Sequence, residues 1–444
     1  MGRLIPHSPA AAVLIAISLT LVGCGGPTPV VSPGSASPTA SQLSGPPQPS
    51  VSTPATFPPG ATAAPVTPDA SPAGPPTPFS ADIWLPLGDF PFAGAFEVTS
   101  VTATPGGYTA VGFGAMPAET FFGRRQGIVW TSADGRTWQQ RADAAFQFAT
   151  PEEIVALNDS LYVFGTIETC ALESPDDCVE IPESGWAVWR STSGGAWERL
   201  PQFAAIQKGG LDGVTVADGN LLAFGWAGDE ALPTIWTSTD GASWTSTVAL
   251  ADMDPVTAVA DSPGGVAAFG TRYSDEIDDL QLIAAFSSDG VTFGTVAAPD
   301  LPGSTVQALV SGDHGLVAVG ESTDLDLNFT GLALHSVDGL SWTQATAADG
   351  SFDGSDILGV HAVPGGYLAL GLVPDSEEFG VSTGQSWISS DGLSWSALAS
   401  FGESFTRISS SAAGSSGAIV FTVEEEGFEE ESVTSTPAAW LLTN

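Results

Sequence analysis

Acidic side chains are the most frequent groups in this chain that could take part in chemistry, and they occur in clusters. The densest clusters are Asp275, Glu276, Asp278 and Asp279 in one segment and Glu424, Glu425 and Glu426 in another. Carboxylates at this spacing attract cations or a basic protein and repel anionic polymers. They equally form solvated loops that keep a protein soluble, so both interpretations stay open.

The segment Asp324-Leu-Asp326-Leu-Asn328 places oxygen ligands at the spacing with which a calcium loop begins. Phe329 stands where such a loop needs Gly, and no Glu follows to complete the coordination. We therefore assign no metal site and expect no cofactor. Calcium is the one candidate ion for the acidic segments.

Cysteine is rare, with three residues in the chain. Cys170 and Cys178 form an even pair, which in an oxidising compartment predicts a disulfide. Closing so short a loop would stabilise the fold by roughly 2 to 3 kcal/mol in the chain-entropy model. A catalytic thiol is not expected, because no His lies in the same segment.

The third cysteine, Cys24, follows an apolar run from Ala10 to Val22 that has Arg3 before it. The run ends in Leu21-Val22-Gly23-Cys24, which resembles the lipobox of bacterial lipoproteins. The resemblance implies that residues 1–23 are a signal peptide and that Cys24 carries lipid. The protein would then be anchored at the extracytoplasmic face of the cell membrane. An uncleaved anchor and an ordinary secretory peptide are the alternatives.

The 444 residues include 50 acidic and 10 basic side chains, which give a formal net charge of −40. Nucleic acid is excluded as a partner, since binding a phosphate backbone requires Lys and Arg. Residues 24–80 are rich in Pro, Ser, Thr and Ala and predict a disordered tether after the lipidated Cys. The remaining chain has enough apolar residues to bury a core.

Beyond residue 80 a nine-residue segment recurs, most clearly at residues 130–138, 236–244 and 387–395. Each copy reads as a strand, an Asp-Gly turn and a second strand. We expect a type I′ hairpin turn, in which both central residues have positive φ. A second pair of strands precedes each copy, often around a Pro-Gly-Gly turn such as residues 105–107.

An aromatic residue recurs in the outer strand about every 50 residues, the period of a propeller blade. The sequence predicts an all-β, seven-bladed β-propeller of four-stranded antiparallel blades over residues 81–444. The last repeat lacks its fourth strand, and the segment around Trp84 supplies the same pattern just after the tether. We therefore expect the N-terminal strand to close the last blade and the tryptophans to pack between blades.

These units resemble Asp-box (BNR) repeats, which are found in sialidase-like propellers, although each copy here is one residue shorter than the family pattern. The resemblance implies that the recurring aspartates are structural turn residues, remote from any active site. They are Asp134, Asp240, Asp289, Asp338 and Asp391.

Connections between the second and third strands emerge on the face opposite the Asp-Gly hairpins, which we call the B–C face. We expect these connections to form an acidic rim. They are residues 115–126, 167–185, 226–233, 271–282, 321–331, 372–385 and 423–437.

A sialidase of the resembled family would need three arginines that converge on a carboxylate and a Tyr nucleophile paired with Glu. Four of the arginines lie on or beside outer hairpins, and only Tyr273 among the tyrosines lies on the B–C face. An acidic rim would also repel an acidic sugar. We therefore expect no enzyme activity and assign no catalytic residue.

The sequence instead favours a monomeric, lipid-anchored binding or scaffolding module at a bacterial cell surface, with an unidentified ligand. Its candidate partner is a cation or a basic protein at the acidic rim. A sialidase-like glycoside hydrolase and a purely structural envelope protein are the alternatives.

Replacing Cys24 tests the anchor. Because a Cys24→Ser chain cannot form the thioether, it should remain an uncleaved precursor or appear in the medium. Detergent phase partitioning of cell fractions measures this outcome. Full partitioning of the variant into detergent would show that Cys24 does not hold the lipid.

Overall fold

The computed structural model of the chain describes residues 83–87, 95–115, 125–141, 143–167, 185–201, 209–228, 231–247, 253, 255–274, 279–324, 328–374, 382–405, 407–426 and 434–443. The predicted signal peptide and tether, residues 1–80, lie outside these ranges. Within the described ranges, no helix has the length and hydropathy needed to cross a bilayer.

The described chain forms seven sheets, six of four strands and one of five, and the four blade strands of each sheet are antiparallel. This confirms the predicted all-β, seven-bladed propeller. Each blade runs from an innermost strand A to an outermost strand D, and the blades follow one another along the chain.

The strands of the first three blades are, in order from A to D, as follows. Blade 1 contains β2 (Ala95–Thr104), β3 (Gly107–Ala115), β4 (Arg125–Ser132) and β5 (Trp138–Arg141). Blade 2 contains β6 (Ala149–Leu157), β7 (Ser160–Ile167), β8 (Gly185–Thr192) and β9 (Glu198–Arg199), and a 3-10 helix (Ala144–Phe146) precedes it. Blade 3 contains β10 (Gly209–Ala217), β11 (Asn220–Ala227), β12 (Leu232–Ser238) and β13 (Thr245–Thr247).

The next three blades repeat this order. Blade 4 contains β14 (Val256–Ser262), β15 (Gly265–Ser274), β16 (Asp279–Ser287) and β17 (Gly294–Thr295). Blade 5 contains β18 (Ser304–Gly312), β19 (Gly315–Thr323), β20 (Phe329–Ser336) and β21 (Thr343–Gln344). Blade 6 contains β23 (Asp356–Val363), β24 (Gly366–Pro374), β25 (Ser382–Ser389) and β26 (Ser394–Phe405), and β22 (Thr346–Ala347) joins it in parallel.

Blade 7 is completed by the N-terminal strand, as the sequence predicts. Its strands are β27 (Arg407–Gly414), β28 (Gly417–Glu426) and β29 (Thr434–Thr443), with β1 (Leu85–Pro86) as strand D. Leu85 pairs with Leu441 in an antiparallel ladder. The adjacent Trp84 is 4% exposed, and its indole Nε1 donates to Ser386 Oγ of blade 6 at 3.0 Å. The closing strand therefore seals the ring and also binds the neighbouring blade.

Every strand A carries a β-bulge at an equivalent position, and a glycine of strand B lies opposite it in six blades. In blade 1 the bulge falls at Thr99, between Val98 and Ser100, and Gly112 pairs with Val98. A Cβ on Gly112 would overlap the carbonyl oxygen of Glu97. The equivalent glycines, Gly165, Gly225, Gly270, Gly320 and Gly371, each face a strand A carbonyl in the same way.

In three blades a hydroxyl at the bulge restores a hydrogen bond that the bulge removes from the ladder. Thr99 Oγ1 donates to the Val111 carbonyl at 3.2 Å, Thr257 Oγ1 to Phe269 at 3.4 Å, and Ser409 Oγ to Phe421 at 3.4 Å. A bulge bends its strand and redirects the side chains beside it. Here it turns polar side chains toward the central channel.

The predicted packing role of the tryptophans is confirmed. The strand C residues Trp130, Trp189, Trp236 and Trp387 have no exposed surface, and the strand D residues Trp138, Trp342 and Trp395 are at most 7% exposed. Their rings contact aromatic side chains of neighbouring elements, as in the edge-on contact of Trp138 with Phe421 at 5.7 Å. These indoles form the interface between blades and are not available to a ligand.

The expected type I′ geometry of the Asp-Gly turns is wrong. In the first copy, Gly135 has φ of +75°, whereas Asp134 is absent from the residues with positive φ. The Asp134 carboxylate instead accepts backbone N–H groups of Arg136 and Thr137 at 2.9 and 2.8 Å, and Ser132 Oγ accepts that of Gly135. A longer loop results because the side chain supplies acceptors that a two-residue turn does not need.

The other Asp-Gly copies repeat this network, in which two backbone N–H groups bond to the Asp carboxylate. The same hydrogen bonds lower the pKa of Asp134 and Asp240 and bring that of Asp289 to about 2. These aspartates are structural, in agreement with the sequence analysis. Type I′ φ values occur instead at Ser193 (+52°) and Gly194 (+70°), in the blade whose repeat lacks the Asp.

Removing the closing strand should destabilise the entire propeller. Deletion of residues 81–90 exposes the edge of β29 and removes Trp84, a loss comparable to a buried Trp→Ala change of about 3 to 5 kcal/mol. Thermal unfolding measures the effect. A chain that starts at residue 78 is the control and should melt as the full chain does. Equal melting temperatures for the two truncations would contradict closure by this strand.

The bulge geometry predicts that Gly112→Ala destabilises the protein by about 1 to 3 kcal/mol, because the new methyl group meets a backbone carbonyl that cannot rotate away. Denaturant unfolding would measure the change. Gly294→Ala is the matched control, since Gly294 also lies in a strand but has no atom within 4 Å of an added Cβ. A Gly112→Ala protein as stable as this control would contradict the close approach.

Candidate functional site

Two carboxyl groups lie within electrostatic range of each other on the B–C face, where blade 5 packs against blade 6. Glu321 follows the glycine of strand B in blade 5 and pairs with Thr305. Asp356 is the first residue of strand A in blade 6. Both side chains are half-buried, and Asp356 Oδ1 is buried without a hydrogen-bond donor among the described residues. The protein thus holds two acids together.

The environment favours the protonated form of this pair. Burial, with a smaller contribution from the neighbouring Glu321 charge, raises the pKa of Asp356 to about 7. Burial also raises the pKa of Glu321. Near neutral pH, Asp356 is therefore partly protonated. Such a pair can both donate and accept a proton.

An exposed aromatic ring lies at the same junction. Phe329 begins strand C of blade 5 and is 45% exposed. Its carbonyl accepts the backbone N–H of Gly354 at 3.0 Å, and the Phe352 carbonyl accepts that of Gly331 at 2.8 Å. These bonds attach the segment that leads into Asp356 to the start of strand C. An apolar surface and an acid pair therefore occupy one part of the face.

The predicted start of a calcium loop is closed by its own side chains. Asp324 Oδ1 accepts the backbone N–H of Asn328 at 2.9 Å, and Asp324 Oδ2 accepts the Asn328 side-chain amide at 2.9 Å. Asp326 lies outside the described residues. Within the described ranges, no group of three or more His, Cys, Asp or Glu side chains is placed to hold a metal ion.

Two further aromatic rings are exposed on the B–C face, in the blades that precede blade 5. Trp226 of blade 3 is 41% exposed and Tyr273 of blade 4 is 55% exposed. The Trp226 indole lies so close to Gly210 that a Cβ there would overlap it. Three consecutive blades thus each present one aromatic side chain near the end of strand B or the start of strand C.

The central channel contains a separate cavity of about 480 Å³ between the innermost strands of blades 1, 2, 3, 6 and 7. Its lining includes Glu153 of β6 and His361 of β23. Burial raises the pKa of Glu153 to about 7 and lowers that of His361 to about 4. At neutral pH the imidazole is therefore uncharged and the carboxyl is poised between its two forms.

The predicted acidic rim is only partly within the described residues. Asp275, Glu276 and Asp278 lie outside them, whereas Asp279 is the first residue of strand C in blade 4 and pairs with Ser274. Glu424, Glu425 and Glu426 continue strand B of blade 7, whose ladder reaches the pair Glu426–Thr434. The expected loops are therefore shorter than predicted in these two blades, because the ladders extend into them.

The three cysteines, Cys24, Cys170 and Cys178, lie outside the described residues. The lipid anchor and the disulfide remain predictions.

The described arginines of the B–C side have other roles than a shared anion site. Arg407 makes two hydrogen bonds to Glu97, at 2.6 and 2.8 Å, and so links blade 7 to blade 1. Arg272 donates to Gln281 at 2.8 Å, and the Arg125 guanidinium lies 4.6 Å above the Phe113 ring. These arrangements support the strands from which the arginines project.

Glu153, Glu321 and Asp356 were not identified from the sequence, although a signal was present. Glu152 and Glu153 interrupt a predicted innermost strand. Glu321 directly follows the recurrent glycine of strand B, where other blades have residues such as Phe113, Thr166 or Leu372. Acidic residues at positions that face a packed interior differ from those in rim loops, and this comparison between repeats would have singled them out.

No protein-family profile and no curated protein matches the chain. Solved structures that it resembles are sialidase-like and other propeller glycoside hydrolases. The sialidase of Trypanosoma rangeli in complex with the inhibitor DANA has a TM-score of 0.38 at 11% identity, and the match covers 79% of this chain and 55% of the sialidase. The chain thus spans about half the length of that enzyme.

Two bacterial enzymes are matched over most of their length. An exo-β-1,3-galactanase from Clostridium thermocellum has a TM-score of 0.33 at 8% identity, covering 78% of this chain and 92% of the enzyme. A family 117 glycoside hydrolase produced by Zobellia galactanivorans has a TM-score of 0.34 at 10% identity, covering 81% and 90%. At these identities the likeness concerns the fold alone and transfers no residue role.

These matches correct the expectation that the chain is not an enzyme, because the propellers that it resembles are glycoside hydrolases. That expectation depended on the sialidase pattern of arginines and tyrosine, which covers only one of the chemistries that such propellers carry. It did not consider carboxyl groups that are partly buried at the ends of strands.

Proposed function

We propose that this chain is an extracytoplasmic propeller that binds a glycan on its B–C face and hydrolyses a glycosidic bond at the junction of blades 5 and 6. The observation that carries the proposal is the Glu321–Asp356 pair, in which burial raises the pKa of both carboxyls and, with the Glu321 charge, brings that of Asp356 to about 7. Glycoside hydrolysis uses two carboxyl groups in different protonation states.

In this proposal Asp356 is the general acid and Glu321 is the carboxylate. The Asp356 proton passes to the glycosidic oxygen as the bond between that oxygen and the anomeric carbon breaks. The ionised Glu321 either accepts a proton from the attacking water or attacks the anomeric carbon itself, according to the separation of the two groups around the sugar. Water supplies the hydroxyl of the product in both cases.

The aromatic side chains supply a surface for the sugar. The apolar faces of pyranose rings stack on exposed aromatic rings, which combine a large apolar area with little rotamer freedom to lose. Phe329 lies at the junction itself, and Tyr273 and Trp226 extend the surface toward blades 4 and 3. The net charge of −40 disfavours acidic sugars, so the proposed substrate is a neutral or basic glycan.

The proposed location follows from the N-terminal sequence. Lipid on Cys24 would hold the protein at the outer face of the cell membrane, and the tether would let the propeller reach polysaccharide beyond it. The acidic rim would attract a cation or a basic partner to the same face. A binding or scaffolding module without turnover is the second candidate function, which the three exposed aromatic rings favour.

Hydrolysis should depend on both carboxyls. Asp356→Asn and Glu321→Gln should each lower kcat by about 10²-fold or more against a panel of neutral aryl glycosides and wall polysaccharides, because each removes a proton-transfer group. In the unmodified protein, kcat/KM should fall as the pH rises through about 7, where Asp356 loses its proton. Released reducing ends or aryl alcohol measure the rates.

Glu198→Gln is the matched control. Glu198 is an exposed strand D residue of blade 2, where it pairs with Arg190, and it does not belong to the junction of blades 5 and 6. This variant should leave the rates unchanged. Glycan binding without turnover in the unmodified protein would favour the binding module, and neither binding nor turnover would overturn the proposal.

A further inference from the structure

The cavity in the central channel has the size and the lining of a small-molecule site. Its volume of about 480 Å³ lies within the range that such sites occupy. The innermost strands of five blades contribute to it. It is thus formed by the most constrained part of the propeller, and it does not include the Glu321–Asp356 pair.

Hydroxyl groups dominate the polar lining. They belong to Thr99, Ser100, Thr215, Ser409, Ser410 and Ser411. Among the described residues, the lining contains one carboxyl group, that of Glu153, one imidazole, that of His361, and no Arg or Lys. A phosphate or carboxylate ligand would find no cation here, whereas a ligand with several N–H donors would find many oxygen acceptors.

Glu153 is held in place but lacks a counter-ion. Its Oε2 atom accepts the Ser100 hydroxyl at 3.1 Å, and Ser100 Oγ in turn accepts the backbone N–H of Ile154 at 3.1 Å. Its Oε1 atom has no donor among the described residues. The side chain is surrounded by protein but keeps some accessible surface, because it borders the cavity.

The charged and titratable groups near Glu153 do not neutralise it. Glu152 on the same strand raises the pKa of Glu153 by repulsion. On β2, Glu97 is already paired with Arg407 of β27. On β10, Asp212 is a further acid, and His361 is neutral because its burial lowers its pKa. The His361 Nε2 atom lies 2.8 Å from Ser411 Oγ, so its ring is already engaged.

We propose that the central cavity binds a small molecule that carries a primary ammonium group, with the Glu153 carboxylate as its counter-ion and the surrounding hydroxyl oxygens as further acceptors. An ammonium group has three donors and a compact charge, which match one free carboxylate oxygen and nearby hydroxyls. A buried carboxylate without a partner is costly, and a bound cation removes that cost. The negative field of the whole protein concentrates such cations.

Binding by this mechanism is linked to protons. Below about pH 7 Glu153 is protonated in the free protein, so a bound ammonium group must displace its proton. Affinity should therefore increase as the pH rises from 5.5 to 8.5, a range in which simple primary amines remain charged. Proton release at pH 6 should appear in calorimetry as a dependence of the binding heat on the buffer.

The test uses two matched pairs of probes, ethanolamine with ethylene glycol and putrescine with 1,4-butanediol. In the first pair one ammonium group is exchanged for a hydroxyl and in the second pair both are, while the size of the molecule stays nearly the same. Titration calorimetry of the intact protein at pH 8 should show at least 10-fold tighter binding of the amine than of the diol. Glu153→Gln should remove this preference, whereas Glu321→Gln should keep it.

The proposal is overturned if the diols bind as tightly as the amines, if neither amine binds, or if Glu153→Gln retains the preference. Should that variant fail to fold, the pH dependence and proton release of the unmodified protein decide the question without it. The proposed hydrolysis depends on Glu321 and Asp356 and is measured by turnover, so failure of either proposal leaves the other intact.

Discussion

The close approach of strands A and B at the bulge is the constraint on which the rest of this propeller depends. Each innermost strand has an extra residue at an equivalent position, and in six blades a glycine of strand B lies against a backbone carbonyl beside it. Blade 7 is the exception, where Thr422 pairs with Ile408 at the equivalent position. Because a bulge redirects the side chains beside it, this local geometry contributes to the direction of the side chains that line the channel.

The two acid sites follow from the same geometry and differ in what surrounds each carboxyl. Glu153 comes directly after the bulge of blade 2, and its neighbours in the cavity are hydroxyl groups instead of a basic side chain. Asp356 begins the strand of blade 6 just before its bulge and meets Glu321 across the interface with blade 5. Desolvation is the largest cause of the raised pKa at both Glu153 and Asp356, and at each a neighbouring carboxyl, Glu152 or Glu321, acts in the same direction. A proton donor and a cation site can thus arise from one repeated scaffold.

The described residues do not show the sialidase pattern of converging arginines, because Arg272, Arg407 and Arg125 have other partners. That pattern concerns the recognition of an acidic sugar by arginines, and this chain is strongly acidic. A neutral or basic glycan needs no such arginines, and the exposed rings of Trp226, Tyr273 and Phe329 suit its apolar faces. Function therefore has to be argued from these sites, since the propeller fold carries many activities.

The sequence by itself determined the number of blades, the closing N-terminal strand and the packing role of the tryptophans. These features depend on a pattern of strands, turns and Trp residues that recurs within each repeat of about 50 residues. The sequence also indicated that the aspartates of the outer hairpins are structural, although it predicted the wrong turn, since a carboxylate that accepts two backbone N–H groups makes a longer loop favourable. Only the tertiary structure decided which carboxyls lie together. Glu321 and Asp356 are 35 positions apart and belong to different blades, and Glu153 shares its cavity with residues from four other blades. The Glu321–Asp356 proximity arises from the packing of consecutive blades, and the shared cavity arises from the ring, which brings distant strands to one axis. The pKa of each carboxyl depends on the desolvation that this packing produces.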